Sequence, residues 1–514
     1  MVQSEILFRS AGRRRSPRGT ARYHVARPAD RRFAFRIRTP CHAAMKDTPP
    51  SSSSQHPDNA DMPVPTPARP GDAGARHASA GDGRSAPAQA AERRPGAEGP
   101  DAEHAAASPR VPLWVLALST TLGMQTVASF LDQSLPVIAP LLTAGAGLSP
   151  ERVGNLSSLN SLGTVLFLLF GAPLLARLGP VRMLQAGALL AVFGLGLAAT
   201  GYWPLLIVGA ILMGIGYGPS PPAGSRILAA TAPPRHRTLI FSIKQAGAPA
   251  GAACAGLILA PAAAAWGWEG AMLISMAIGI AAACVIAPAR ERLDTERDPQ
   301  RAIHVKALIH PRAFATPYRV LRAAPSLLTV SALAFSFAIV QGSLFSFSVT
   351  YLVTARGMPL ATAGIAYACM QFAGVFARIF LGWLADRTGR PAYNLTIQAF
   401  IAAALVAAYA LLPASPSLTL AGLAAGAAGF FAASWNGIYL AEIARLSPPE
   451  KIVEATSASV LISFLGYFVG PSLFSLLVTL TGDYQTPFFV VAIQLALMAA
   501  LQLTVLRRRA RTHT

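Results

Sequence analysis

Few ionisable side chains lie inside the long apolar runs of this chain, and those few are where chemistry concentrates. Asp132 stands in Phe130-Leu131-Asp132-Gln133-Ser134, towards the outer part of the first run. An acid facing a cavity there would be protonatable from outside and suited to proton coupling. The other reading is an interfacial carboxylate at a helix end. Arg378, Gly382 and Asp386 recur at i, i+4 and i+8 and so share one helical face. At 1.5 Å per residue, Arg378 lies roughly 12 Å inside the turn that follows it. A charge at that depth asks for water, an acid or an anionic substrate; an ion pair or snorkelling to the surface is the competing account. Lys244 and Gln245 lie about two turns inside the fifth run, Lys244 able to snorkel and Gln245 to line a cavity. Gln341, Gln371 and Asn436 are neutral donors in runs seven, eight and ten, for a substrate oxygen or a neighbouring helix. The candidate substrate contacts are therefore Arg378, Gln245, Lys244, Gln341, Gln371 and Asn436, with Asp132 the candidate for proton coupling. No histidine falls in any run.

The elements that must position these residues are visible in composition. The chain has 514 residues, 53% hydrophobic and only 13% charged, which excludes an ordinary soluble enzyme and favours a multi-span membrane protein. From Leu113 onward twelve apolar runs of about 20 residues appear. They centre on 113–135, 152–175, 181–201, 204–226, 238–262, 269–288, 326–352, 360–383, 393–413, 417–440, 453–480 and 485–506. With the N-terminus inside, 22 Lys and Arg fall in cytoplasmic segments, against Arg152 and Arg356 outside and Arg378 within a span. Both termini are then expected in the cytoplasm, and the membrane is expected to be a bacterial inner membrane.

The net charge of +20 raises nucleic acid as a partner, but 18 of the 43 basic residues precede Val111 and most others sit in short loops. No basic groove or stacking platform exists, so no nucleic acid is expected. The cysteines at 41, 254, 284 and 369 form no C-x-x-C, so neither a disulfide framework nor a metal site follows. Residues 1–110 read as a disordered basic, Pro-rich tail. Its first 44 residues share the composition of an organellar transit peptide, and an over-extended gene start before Met45 or Met62 is the other reading. Beyond it, the expected organisation is a six-helix bundle over 111–288, a central cytoplasmic loop over 289–324, a second six-helix bundle over 325–506 and a basic tail over 507–514.

Within the runs, Gly214, Gly216, Gly218, Gly247 and Gly251 read as points of close helix approach. Pro219, Pro221 and Pro222 must break or kink the fourth.

One nonapeptide organises the rest. Gly382-Trp383-Leu384-Ala385-Asp386-Arg387-Thr388-Gly389-Arg390 joins runs eight and nine, and a degenerate copy, Leu174-Leu175-Ala176-Arg177-Leu178-Gly179, lies 210 residues earlier. The copy keeps Leu174, Arg177 and Gly179 but has Ala176 in place of the acid. This pattern resembles the turn between helices two and three of each half in the major facilitator superfamily, G-x-L-A-D-R-x-G-R, over about 400 residues. The resemblance implies an all-α integral membrane fold of twelve transmembrane helices in two pseudo-symmetric six-helix bundles. It also implies a gating role for Gly382, Asp386, Arg387, Gly389, Arg390, Arg177 and Gly179, with Asp386 latching the inner end. Phe241 to Gly251 is similar to the Gly- and Pro-rich fifth helix of the family without matching its antiporter motif. Ala210 stands where a fourth-helix arginine would be, so that residue's role does not carry over. Some carriers of monocarboxylates and oxalate in the family place an arginine on helix eight as Arg378 is placed, although the acid preceding it in the monocarboxylate carriers is Gly374 here.

The expectation is a secondary transporter of a small organic anion, working by alternating access and coupled to protons. An exporter of drugs or lipophilic compounds, or an uncoupled facilitator, is the alternative. Its partners are the solute and the lipid bilayer, with no obligate protein partner and no cofactor. No G-x-x-x-x-G-K loop, H-E-x-x-H or G-x-S-x-G occurs, so neither ATP hydrolysis nor a membrane-embedded hydrolase is expected.

Overall fold

In the computed structural model, residues 112–295, 297–300, 325–448 and 451–512 are described. The expected tail over 1–110 and most of the central loop, 301–324, lie outside them. The described residues form helices and no strands.

Among the described residues, eleven stretches are long and apolar enough to cross a bilayer. They are α1 (Leu113–Gly145), α2 (Arg152–Phe170), α3 (Pro180–Ala198), α4 (Trp203–Thr231), Leu239–Leu293, α7 (Leu327–Ala355), α8 (Leu360–Thr388), α9 (Pro391–Ala410), α10 (Leu418–Leu446), α11 (Ala455–Thr481) and α12 (Gln485–Arg508). The fifth stretch, at 55 residues, would be about 80 Å long if straight, far beyond the roughly 30 Å of hydrocarbon. It reverses at Gly267, whose φ of 75° no other residue type adopts cheaply. Trp268, just past the reversal, packs on Gly145 at the end of α1. Further along, Ala283 accepts from Gln185 near the start of α3. The stretch is therefore α5 (239–266) and α6 (268–293), and there are twelve spans in two six-helix bundles.

Three spans are broken mid-course. The sequence reading ends the first run near 135, but α1 continues to Gly145 with a one-residue break at Gln133. In α4 the helix stops at Tyr217 and restarts at Ser220, where Pro219 and the prolines after it impose the break. In α10 it stops at Ala432 and restarts at Asn436. The last helix also runs through its arginines to Thr512 rather than releasing a tail at 507.

Helix pairing repeats between the halves: α1 packs on α5 as α7 on α11, α2 on α4 as α8 on α10, and α3 on α6 as α9 on α12. The glycines read as packing points serve that purpose. A Cβ on Gly214 would collide with the Asn160 carbonyl of α2, and one on Gly251 with the Thr126 carbonyl of α1. Between the bundles, α5 meets α8 and α2 meets α11. These contacts are tight at the end away from the termini. A Cβ on Gly256 would stand 2.6 Å from the Gly364 carbonyl, Gly154 abuts Pro471 and Phe347, and Ser475 Oγ donates to the Glu151 carbonyl at 2.7 Å. At the termini end Gly382 and Gly437 have nothing within 4 Å. The closest contacts described between the bundles therefore lie at the end away from the termini.

The repeated turn is tighter than its sequence implies. Helix α8 continues through Asp386 to Thr388, and only Gly389 (φ 62°) and Arg390 reverse the chain before Pro391 starts α9. In the first half Gly179 (φ 88°) does the same before Pro180. The acid missing at Ala176 is supplied from elsewhere. Asp294, just past α6 and 7% exposed, accepts from the backbone N–H groups of Val181 at 2.6 Å and Arg182 at 3.2 Å. Its carboxylate also lies 3.6 Å from the Arg182 guanidinium. It thus neutralises the unpaired N–H groups and positive dipole end of α3. The Asp298 N–H donates to Ala176 itself, fastening the start of the central loop under the turn.

Asp294→Ala should therefore cost about 1–2 kcal/mol, the range for losing a helix-start cap. Thermal unfolding in detergent should show a lower midpoint for Asp294→Ala and an unchanged one for Asp298→Ala, whose exposed carboxylate bonds Gln300 alone among the described residues. Equal midpoints for Asp294→Ala and wild type would remove this role.

Candidate functional site

The breaks in α1, α4 and α10 all face the space between the bundles, and the polar residues gather around them. Along α8, Tyr367, Gln371 and Arg378 follow a spacing of four and seven and so lie on one face. That face looks across at the first bundle. The Tyr367 hydroxyl donates to Gln133 Oε1 of α1 at 2.6 Å. Arg378 Nη1 donates to the Gln245 carbonyl of α5 at 3.4 Å, while its Nε and Nη2 reach the Ala433 carbonyl in the α10 break at 3.3 Å.

Arg378 thus neither snorkels nor forms a structural ion pair. Its acceptors among the described residues are two uncharged backbone carbonyls. It lies ten residues from the helix end at Thr388, about 15 Å, slightly deeper than the sequence reading puts it. Tyr217 of α4 and Tyr467 of α11 are its electrostatic neighbours. Tyr217 is also an electrostatic neighbour of Asp132 and so stands within reach of both the acid and the arginine.

Asp132 is at neither the outer edge nor a helix terminus in the interface. It is the last residue before the α1 break, part-buried and 20 residues into a span of 33. Gln133 Nε2 donates to its Oδ2 at 2.7 Å, and the Asn160 amide of α2 lies alongside. Lys244 departs from expectation too. It does not snorkel, being only 1% exposed. Its stem packs on Gly224 of α4, near Thr121 of α1, and among the described residues its ammonium has only a long 3.5 Å bond to Gln245 Oε1. Gln245 itself is exposed.

The neutral candidates divide. Gln341 is fully engaged at its oxygen, accepting from Trp435 Nε1 and the Tyr467 hydroxyl, both at 2.9 Å; it braces α7, α10 and α11. Asn436 lies beside Tyr467 in the same network. Gln371 is different. It is 1% exposed, and among the described residues its Nε2 makes no well-formed hydrogen bond, the Tyr367 hydroxyl being its polar neighbour; a buried donor without a good acceptor costs on the order of 1–3 kcal/mol. Asn160 Oδ1 is likewise buried without a partner.

Of the gating residues, Asp386 is exposed and makes no hydrogen bond or ion pair to the described residues. Arg387 stacks over Trp383 at 5.6 Å. Arg390 is exposed, and Arg177 lies in the last turn of the short helix Ala172–Leu178. The buried Glu442 pairs bidentately with Arg445 at 2.6 and 2.7 Å. Sequence reasoning missed Gln133, Asn160, Tyr217, Tyr367 and Tyr467. Tyr367 shares the helical face of Arg378 and was findable on that signal; the other four lie on different spans and only folding brings them together.

Comparison with known proteins places this geometry. The chain is 28% identical over 279 residues to the 4-hydroxybenzoate transporter PcaK of Pseudomonas aeruginosa, covering 49% of this chain and 61% of that one. It is 26% identical to an uncharacterised MFS-type transporter of Mycobacterium tuberculosis, covering 73% and 81%. It is 29% identical to the hexuronate transporter of Bacillus subtilis over 30% and 37%. The match thus spans less than two thirds of the first and third relatives. Among solved structures, a bacterial homologue of the human lysosomal transporter Spinster, inward-facing and occupied, superposes with a TM-score of 0.63 at 17% identity, covering 77% of this chain and 97% of that one. The peptide transporter POT in complex with sulfate gives 0.63 at 14% identity, covering 78% and 95%; at these identities both speak to fold alone. Residues 116–471 match the family described as Major Facilitator Superfamily. The chain belongs to that superfamily and is an integral membrane transporter, not an enzyme.

Proposed function

We propose that this transporter moves a small organic anion, a carboxylate carrying a hydroxyl or other donor, through the cavity between its bundles in symport with protons. The observation that carries the reading is Arg378, a permanent cation inside the membrane with only backbone carbonyls for partners among the described residues. Placing an arginine at the centre of a span costs about 2.5–3.5 kcal/mol on insertion scales. Two carbonyl acceptors at 3.3–3.4 Å leave its charge uncompensated, and a substrate carboxylate would compensate it. The buried amide of Gln371, without a well-formed hydrogen bond among the described residues, supplies a further donor on the same face. Lys244, buried without an acid, adds positive potential nearby. The PcaK and hexuronate relatives support the class, because both named solutes are hydroxylated monocarboxylates.

Asp132, across the cavity, is the group for the proton and for the substrate's donor end. Asp386 acts at the termini end, expected in the cytoplasm from the arginine distribution. Its freedom from partners fits a latch released while that end stands open, to be re-engaged when the bundles rock the other way.

Uptake of labelled 4-hydroxybenzoate and glucuronate into proteoliposomes tests the anion site. Arg378→Ala should weaken apparent affinity about 10- to 100-fold, the range for losing hydrogen bonds to a charged group. Unchanged uptake would discard an anion role for Arg378. Asp132→Asn should abolish accumulation driven by an imposed pH gradient while leaving solute exchange at equal pH. Gradient-driven accumulation by that variant at the wild-type rate would eliminate proton coupling through Asp132. Asp386→Asn should slow cycling far more than Ala176→Ser, measured as turnover with saturating solute; equal turnover would sink the latch.

A further inference from the structure

Gln133 is the only residue of α1 outside regular helix between Leu113 and Gly145, and its amide faces two ways. Its Nε2 donates to Asp132 Oδ2 at 2.7 Å within α1, and its Oε1 accepts from the Tyr367 hydroxyl of α8 at 2.6 Å. The second bond crosses between the bundles. Tyr367 is 0% exposed, and its ring lies against Gly256 at the α5–α8 crossing, where a Cβ would stand 3.1 Å from its Cδ1. Phe345 of α7 covers another edge, with ring centroids 6.3 Å apart. The hydroxyl therefore sits at the inner floor of the closed end, and Gln133 connects that floor to Asp132.

We propose that Gln133 and Tyr367 are positioning residues that tie closure of the far end to the charge on Asp132, a relay that rests on Asp132 being the protonatable group of the reading above. An ionised carboxylate only accepts. It holds the Gln133 nitrogen and so turns the Gln133 oxygen towards Tyr367. A protonated Asp132 carries an O–H donor. It competes with Tyr367 for that one amide oxygen, and the cross-bundle bond weakens. A flip of the amide would keep a contact but would take from the buried Tyr367 hydroxyl the acceptor it now has. The other groups around Asp132 do not offer the same connection. Asn160 of α2 is uncharged, and the Tyr217 hydroxyl of α4 accepts from Gln125 of α1, within the first bundle. Lys244 of α5 packs on Gly224 of α4 at the level of Thr121, eleven residues and about 16 Å along α1 from Asp132. Arg378 is held at Gln245 and Ala433. Only Gln133 joins Asp132 to a residue of the second bundle through hydrogen bonds among the described residues.

The test uses the full chain with its four cysteines replaced and spin labels at Ala144 and Ala355, exposed positions at the far end on α1 and α7. In wild type the long-distance, open population should grow as pH falls. Tyr367→Phe and Gln133→Leu should raise the open-to-closed ratio at high pH about two- to tenfold, the factor one net hydrogen bond represents, and flatten its pH response. Asp132→Asn should flatten it as well. Tyr367→Phe removes one oxygen atom, so it decides the matter if Gln133→Leu does not fold. A wild-type pH response in Tyr367→Phe overturns the relay, even where Asp132→Asn still uncouples transport. A response that needs all three residues upholds it, even where a pH gradient fails to drive uptake; in that case the coupling reading falls and the relay remains.

Discussion

An arginine inside a hydrocarbon layer has to be solvated by the protein, and here the carbonyl of Ala433 does much of that work. The carbonyl is available because α10 is broken at 433–435; in a continuous helix it would be committed to an N–H four residues on. The break is in turn held by Trp435, fully buried and bonded to Gln341 of α7. The position of the one permanent charge in the cavity thus depends on a helix interruption, and the interruption on a buried indole. The same logic recurs at Gln133 in α1 and at Gly218–Pro219 in α4. Asp132 adjoins one of these interruptions, and Arg378 reaches another through its bond to the Ala433 carbonyl.

Elsewhere the spans are plain and small. Glycine and alanine let helices approach until backbone meets backbone, as at Gly214 with Asn160 or Gly251 with Thr126. Packing of this kind replaces the hydrophobic drive that lipid removes. It also makes the bundles rigid bodies with a small set of contact surfaces. At the far end those surfaces are engaged through Gly256, Gly364 and Gly154; at the termini end Gly382 and Gly437 face open space. The closest approach of the two halves is thus made by glycines at the far end.

The two repeated turns show how pseudo-symmetry can persist in geometry while drifting in chemistry. Both halves reverse at a glycine of positive φ, Gly179 and Gly389. The second keeps its acid on the helix, exposed and free to engage. The first has lost it, and Asp294 from beyond α6 binds the start of α3 instead. An acid delivered by the central loop and buried at 7% exposure is a fixture of one bundle. The halves are therefore unequal at this end.

From the sequence alone came the membrane class, the twelve runs, the two halves, the family and the candidate residues Arg378 and Asp132. Each follows from a local property: hydropathy along about 20 residues, the cost of charge in lipid, or the spacing of a short motif. Local properties also misled where a helix end and a mid-helix break look alike. Asp132-Gln133-Ser134 reads as the end of a span because polar residues usually mark one, yet α1 runs on to Gly145. Lys244 reads as a snorkelling lysine because its own helix offers that route, yet Gly224 on α4 gives it a buried slot. The partners of the site residues were decided only by tertiary structure. Gln133 with Tyr367 lies 234 positions apart, and Arg378 with Gln245 133 apart. No periodicity along one helix encodes which face of another it meets; that is set by packing of small residues across the whole bundle.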